Sequence, residues 1–281
     1  MSRTMRLFSQ IVVRLVVWLV ILIALVPFIF MLITSFKPTG EALTIPPKWL
    51  FQPTFANYVQ VFSGQTVSSQ SFLWLVMHSA IVASVSTVLT LAVALPAAYA
   101  LARIRFRGRQ FLSTWILSTI MFPPVVAVIP VFILAGNLQL FDTYPVLIIP
   151  YIAFNLPIVI WILRSTITQL PVEIEEAAVI DGCSRLGMIV RIILPLVGSG
   201  LATGAILSLI LCWNEYLFAL SLTRSDVLTA PVGISEFTGG MFGTQWGPLT
   251  AASTTVLLPI IVMILILRRR LISGLTMGAV K

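Results

Sequence analysis

VEIEEAAVIDGCSRLGMIVRIILPL, residues 172–196, is the longest polar interruption in the second half of a very apolar chain. Pro171 suits the first turn of a helix, where its missing N–H costs nothing. Glu173, Glu175 and Glu176 then place negative charge at the positive end of that helix. Ala177, Ala178, Val179 and Ile180 extend it, and Asp181-Gly182 reads as a stop and turn. Ser184 can cap a second helix carrying Leu186, Met188, Ile189 and Val190, with Pro195 closing it. The pattern predicts a short helix–turn–helix with acidic and apolar faces, lying outside a membrane.

A membrane is implied by everything around this stretch. Of 281 residues, 59% are hydrophobic and only 9% charged, against about 25% charged in ordinary soluble domains. Crossing a hydrocarbon core takes about 20 helical residues. Six runs qualify, near residues 15–36, 72–102, 111–135, 144–163, 200–222 and 251–267. The first is too long for a cleaved signal and no A-x-A site follows it, so it reads as a retained span. Residues 37–71 are rich in proline and turns, with room for one short helix near 57–62. Pro123-Pro124 and Pro130 interrupt the third run, and Pro150 and Pro157 the fourth; breaks of this kind are tolerated where protein or a water-filled cavity lines them.

The formal charge of +8 does not indicate nucleic acid, because the cations sit beside apolar runs. With both ends on one side, 14 of the 17 Lys and Arg residues fall on that side, including Arg103, Arg105, Arg107, Arg109 and Arg268–Arg270; Lys37, Lys48 and Arg224 fall opposite. This positive-inside bias predicts cytoplasmic termini and puts residues 172–196 in the cytoplasm.

Chemistry of the enzymatic kind is missing from the pattern. The two cysteines, Cys183 and Cys212, form no CxxC, and the lone histidine, His78, reads as a satisfied polar group. No HExxH or GxSxG occurs, and no lysine follows a glycine as a phosphate-binding GxxxxGK[ST] loop requires. The chain therefore reads as a non-enzyme with no metal or cofactor of its own, and any ATP must be hydrolysed on another subunit. Glu215 is the one acidic residue inside a predicted span, either a functional carboxylate or one bonded to a neighbouring helix. Asn155, Asn214, Tyr216, Ser118 and Thr119 complete a set of amides, hydroxyls and rings that could face a passage. No Lys or Arg occupies the middle of a span, which favours an uncharged cargo.

Glu176-Ala177-Ala178, Gly182, and Ile192-x-Leu194-Pro195 resemble the EAA signature of bacterial ABC importer permeases. The likeness narrows to the carbohydrate-uptake branch, of the maltose-type second permease, through SFKPTGEA (35–42), FANY (55–58), AYALARIRFRGR (98–109), WNEYLFAL (213–220) and GLTMGAVK (274–281). It covers nearly the whole chain. One departure is His78-Ser79, where relatives often have Asn-Ser.

This resemblance implies an all-α integral membrane protein of the type I importer permease fold, one transmembrane domain over residues 1–281 with a core near 72–272. It implies a cytoplasmic coupling helix, with Glu173, Glu176, Ala177, Ala178, Asp181, Gly182, Leu194 and Pro195 meeting an ATPase. It further implies a second permease, two copies of the ATPase that uses ATP and Mg, and an extracytoplasmic binding protein. Gly239, Gly240, Gln245 and Trp246 would lie in a loop reaching toward that binding protein, and Gly278, Ala279 and Lys281 near the ATPase interface. The expected function is ATP-driven import of a neutral sugar, oligosaccharide or polyol by alternating access across a bacterial inner membrane. Alternatives are another solute such as glycerol phosphate, or an ion-coupled secondary transporter. The latter would need more intramembrane charge than Glu215, and inverted repeats, which this chain does not display.

Overall fold

The computed structural model describes residues 3–64, 70–239 and 243–276. Among them the regular elements are all helices. In chain order they are α1 (Arg3–Ser35), α2 (Ala56–Phe62), α3 (Phe72–Arg103), α4 (Arg109–Ser118), α5 (Pro124–Asn137), α6 (Tyr144–Thr168), α7 (Glu173–Ile180), α8 (Arg185–Met188), α9 (Leu194–Leu196), α10 (Gly198–Trp213), α11 (Leu217–Leu222), α12 (Ala230–Ser235) and α13 (Trp246–Thr276). Four helices are long and apolar enough to cross a membrane, over Gln10–Ser35, Phe72–Arg103, Tyr144–Thr168 and Trp246–Met263. Two bent pairs, Arg109–Met121 with Pro124–Asn137 and Arg185–Leu196 with Gly198–Trp213, bring the total to six when each is one span.

The chain divides into two compact units, Met1–Phe72 with Ile234–Leu257, and Leu73–Gly233 with Leu258–Lys281. In the first unit the most apolar 18-residue window of α1 has no buried residue, as a lipid- or partner-facing helix would have. The C-terminal carbonyls of α1 need donors. Asn57, on the short helix expected near 57–62, supplies them, giving its amide to Ser35 O at 2.9 Å and Lys37 O at 2.8 Å. Phe36, Phe55 and Tyr58 pack beside this cap, with centroids 5.2–5.4 Å from Phe36.

In the second unit α10 lies against α6. A Cβ at Gly200 would come within 2.4 Å of Thr166 Oγ1, and one at Gly204 within 3.3 Å of Val159 Cγ1. Small residues four apart thus let two membrane helices approach closely. A core of Ala94, Ala98, Tyr99, Leu163, Ile167, Ala178, Met188 and Ile193 joins α3 and α6 to the 173–196 segment.

Both bends have a local cause. Proline disfavours helical backbone in the residue before it. Phe122 accordingly turns extended before Pro123, α5 restarts with Pro124 in its first turn, and the axis swings by 93°. At the other bend Pro195 cannot donate the usual backbone bond. The preceding Ile189–Ile193 segment is wound as a π-helix, and the chain turns by 82° at Val197.

Two predicted boundaries change. The run 200–222 is not one helix, because it breaks at Asn214–Tyr216 and resumes as α11. Glu215 causes the restart by accepting the amide protons of Phe218 and Ala219 at 2.8 and 3.2 Å. Pro171 is not in the first turn of α7; Val172 caps that helix, and its carbonyl accepts from Glu175 N and Glu176 N.

The turn between α5 and α6 is held by Asp142. Its carboxylate accepts from the backbone N–H groups of Arg224, Ser225, Asp226 and Val227, and from the Ser225 hydroxyl. Partial burial pushes the Asp142 pKa up, but the four amides outweigh it and hold the group down at about 2.

Candidate functional site

The 173–196 segment folds as a hairpin with two different faces. Gly182 has φ +76°, which only glycine adopts without strain, and no neighbour crowds it. The turn therefore depends on backbone freedom rather than on space. Ser184 caps α8 as expected, its hydroxyl accepting from Gly187 N at 3.2 Å.

The inner face is anchored. Ala178 and Met188 are buried in the core, so Ala178 is small for packing within the chain. Glu175 is only 7% exposed. It accepts from Arg103 Nε at 2.6 Å and Tyr99 OH at 3.0 Å. The outer face carries Glu173, Glu176, Ala177, Asp181, Gly182 and Pro195, all exposed, with Leu194 half-buried. Beside them are apolar side chains that the sequence reading did not single out: Ile180 at 86% exposure, Leu186 at 71% and Val179 at 61%. Their signal was present, since an isoleucine immediately before an Asp-Gly stop has no core of its own to enter.

A second site opens where the broken spans meet α6. A cavity of about 780 Å³ is lined by residues of α4, α5, α6 and α10–α11, and by the two breaks between them. Four of the six passage candidates line it: Ser118, Thr119, Asn155 and Glu215. Asn214 and Tyr216 do not; Asn214 spends its amide on Ile210 O, and Tyr216 is exposed. Phe154 and Phe218 stack in the lining with centroids 5.3 Å apart. Pro150 and Pro157 also line it, as the sequence reading of interrupted spans anticipates.

Glu215 is fully engaged, accepting from Tyr151 OH at 2.7 Å besides the two α11 amides. Asn155 donates to Tyr151 O at 2.7 Å and to Cys212 Sγ at 3.4 Å. Its buried Oδ1 has no partner among the described residues. This is costly for an amide oxygen unless a ligand or water fills the gap. The cavity thus offers rings and hydroxyls, and no cation lines it among the described residues; Asn155 Oδ1 is unpaired but buried in its wall. Tyr151 and Cys212, missed in the sequence, carry no motif; only their register beside Asn155 and Glu215 marks them.

In the first unit Gly239 has φ +73°, Gln245 accepts from Gln60 Nε2 at 2.9 Å, and the half-exposed Trp246 starts α13. Thr39, Gln60, Gln245 and Trp246 share a recess of about 500 Å³. Gly240 lies outside the described residues, as do Gly278, Ala279 and Lys281. His78 is buried, its Nδ1 3.2 Å from Leu228 O and its ring 5.8 Å from that of Tyr144, a satisfied polar group.

Comparison with known proteins gives the family. Residues 91–275 match the family model described as the binding-protein-dependent transport system inner membrane component. The trehalose/maltose transport system permease protein MalG of Thermococcus litoralis is 38% identical over 264 residues, covering 94% of each chain. The trehalose transport system permease protein SugB of Mycobacterium tuberculosis is 38% identical over 268 residues, again 94% of each. Among solved structures, a chain of a bacterial ABC transporter that imports the acidic polysaccharide alginate superposes with a TM-score of 0.75. At 24% identity, and covering 96% of this chain and 98% of that one, it shares the fold.

Proposed function

This chain belongs to the inner-membrane components of binding-protein-dependent transport systems, the multi-pass permeases of ABC importers, and on that premise we propose that it passes a neutral sugar, oligosaccharide or polyol across the membrane. Its relatives named for trehalose and maltose support the cargo class, as does a cavity lined by rings and hydroxyls. One transmembrane domain spans the chain, paired with a second permease, two copies of a cytoplasmic ATPase and an extracytoplasmic binding protein. ATP and Mg are used by the ATPase, and this subunit catalyses no reaction itself. Both termini lie in the cytoplasm, as the 14-of-17 cation bias favours. Gly239, Gln245 and Trp246 face the binding protein on the other side.

The observation that carries the reading is the two-faced hairpin. Its inner face is bonded into the transmembrane core, while Val179, Ile180 and Leu186 stand exposed on its outer face. Apolar groups presented in this way on a polar segment fit a protein partner. When ATP draws the two ATPase copies together, the hairpins move with them and the spans reorient around the cavity. ATP does this by favouring the outward-facing arrangement over the inward-facing one.

The test is reconstitution in proteoliposomes with the partner subunits and a binding protein charged with a panel of ligands. ATP hydrolysis should rise, and labelled solute accumulate, with a neutral saccharide or polyol. Stimulation by phosphorylated ligands alone would overturn the cargo class.

A further inference from the structure

We propose that Tyr99, Arg103 and Glu175 form a clamp that makes the hairpin move as one body with α3 and the end of α6, and so act as positioning residues for coupling. The proposal rests on the reading that the hairpin docks on an ATPase. A docked hairpin does work on the spans only if it cannot swivel where it joins them.

Both covalent joints of this hairpin are compliant. On the N-terminal side the chain leaves α6 at Thr168 and re-enters a helix only at Glu173. On the other side it passes through a π-helical stretch into the 82° break at Val197. Displacement applied at the turn would be lost in these bends without a cross-link.

The cross-link is built from three elements and reaches a 32-residue helix. Arg103, in the last turn of α3, gives Nε to Glu175 Oε1 at 2.6 Å and a second guanidinium nitrogen to Leu170 O at 2.7 Å. One planar fork therefore ties α7 and the exit of α6 to α3. Tyr99, one turn earlier, donates to Glu175 Oε2 at 3.0 Å and lies 3.3 Å from Met188 Sδ of α8. Both oxygens of Glu175 are thus held, and the Arg103 and Glu175 side chains are 14% and 9% exposed. A hydrogen-bonded ion pair so little exposed resists separation, because pulling it apart leaves two largely buried charges unpaired. Glu175 immediately precedes the exposed Glu176, so neighbouring carboxylates face opposite ways, one into the clamp and one outward.

The assembled transporter tests this through the ATP hydrolysed per solute imported in proteoliposomes, read beside co-purification of the ATPase. The variants are R103K, which keeps the charge and loses the fork, and the doubly neutral R103Q/E175Q, which leaves no stranded charge and so keeps the fold. Both should bind the ATPase as the parent does, while ATP spent per solute rises by about tenfold or more, the size of an ordinary coupling free energy. A ratio within twofold of the parent in both variants, with the ATPase bound, would overturn the clamp alone. Absence of the ATPase from the parent complex would overturn the docking reading and the clamp with it.

Discussion

The hairpin and the cavity each centre on a glutamate whose oxygens are both engaged, and they differ in what is left over. At the hairpin, Glu175 is tied by a guanidinium and a phenol from α3, and the surplus is apolar: Val179, Ile180 and Leu186 stand exposed. At the cavity, Glu215 is tied by a phenol and two backbone amides, and the surplus is polar: the buried Asn155 Oδ1. Unmet apolar surface around a polar turn fits a protein partner. An unmet acceptor beside rings within the spans fits a polar solute. One chain thus carries two incomplete sites of opposite character, and the helices between them are what a transport cycle must move.

The comparison breaks most readily at the turn. Gly182→Pro forces φ to about −65° where the turn has +76°. The expected outcome is transport reduced to background with membrane insertion intact, checked by uptake assays beside membrane fractionation. At the cavity, Glu215→Ala removes three acceptor contacts and leaves the Tyr151 hydroxyl unpaired. It should cost about 2 kcal/mol or more of stability, read as a lower melting temperature in detergent.

A smaller effect sharpens the polar side of the contrast. Asn155→Leu removes the unpaired acceptor in the cavity wall, and the KM for imported solute should rise about fivefold, the worth of roughly one hydrogen bond. Co-purification of the ATPase should be unchanged. The smallest effect is expected at Asp142, distant in function from both sites. Its folded pKa of about 2 lies below the ordinary value of 3.8. The stabilisation is therefore present above pH 3.8 and is lost as pH falls through about 2. Protection of the backbone amides at residues 224–227, taken relative to their intrinsic exchange rates, should fall in that window, and Asp142→Asn should abolish that change.

Local signals made the hairpin legible. Asp181-Gly182 and Ser184 act within a few residues of themselves, so a stop, a turn and a cap could be placed without knowing what lay nearby. Pro123-Pro124 announced its break for the same reason. The break at Asn214–Tyr216 was not legible, because apolar runs flank it on both sides and the restart depends on where the Glu215 carboxylate points. The Glu175–Arg103 pair spans 72 positions, and no periodicity couples residues that far apart. Of Leu186, Met188, Ile189 and Val190, placed in the sequence on one second helix, only Met188 is buried, and which of the four packs inward was not legible.

The docking of the hairpin's outer face is tested most directly by a photo-crosslinking residue placed singly at Ile180 and at Leu186, with Ser63 as the control on the predicted opposite side of the membrane. In membranes containing all partners, positions 180 and 186 should give an adduct with the ATPase, and position 63 should not. An ATPase adduct from position 63, or none from 180 and 186 in an actively transporting complex, would contradict the account.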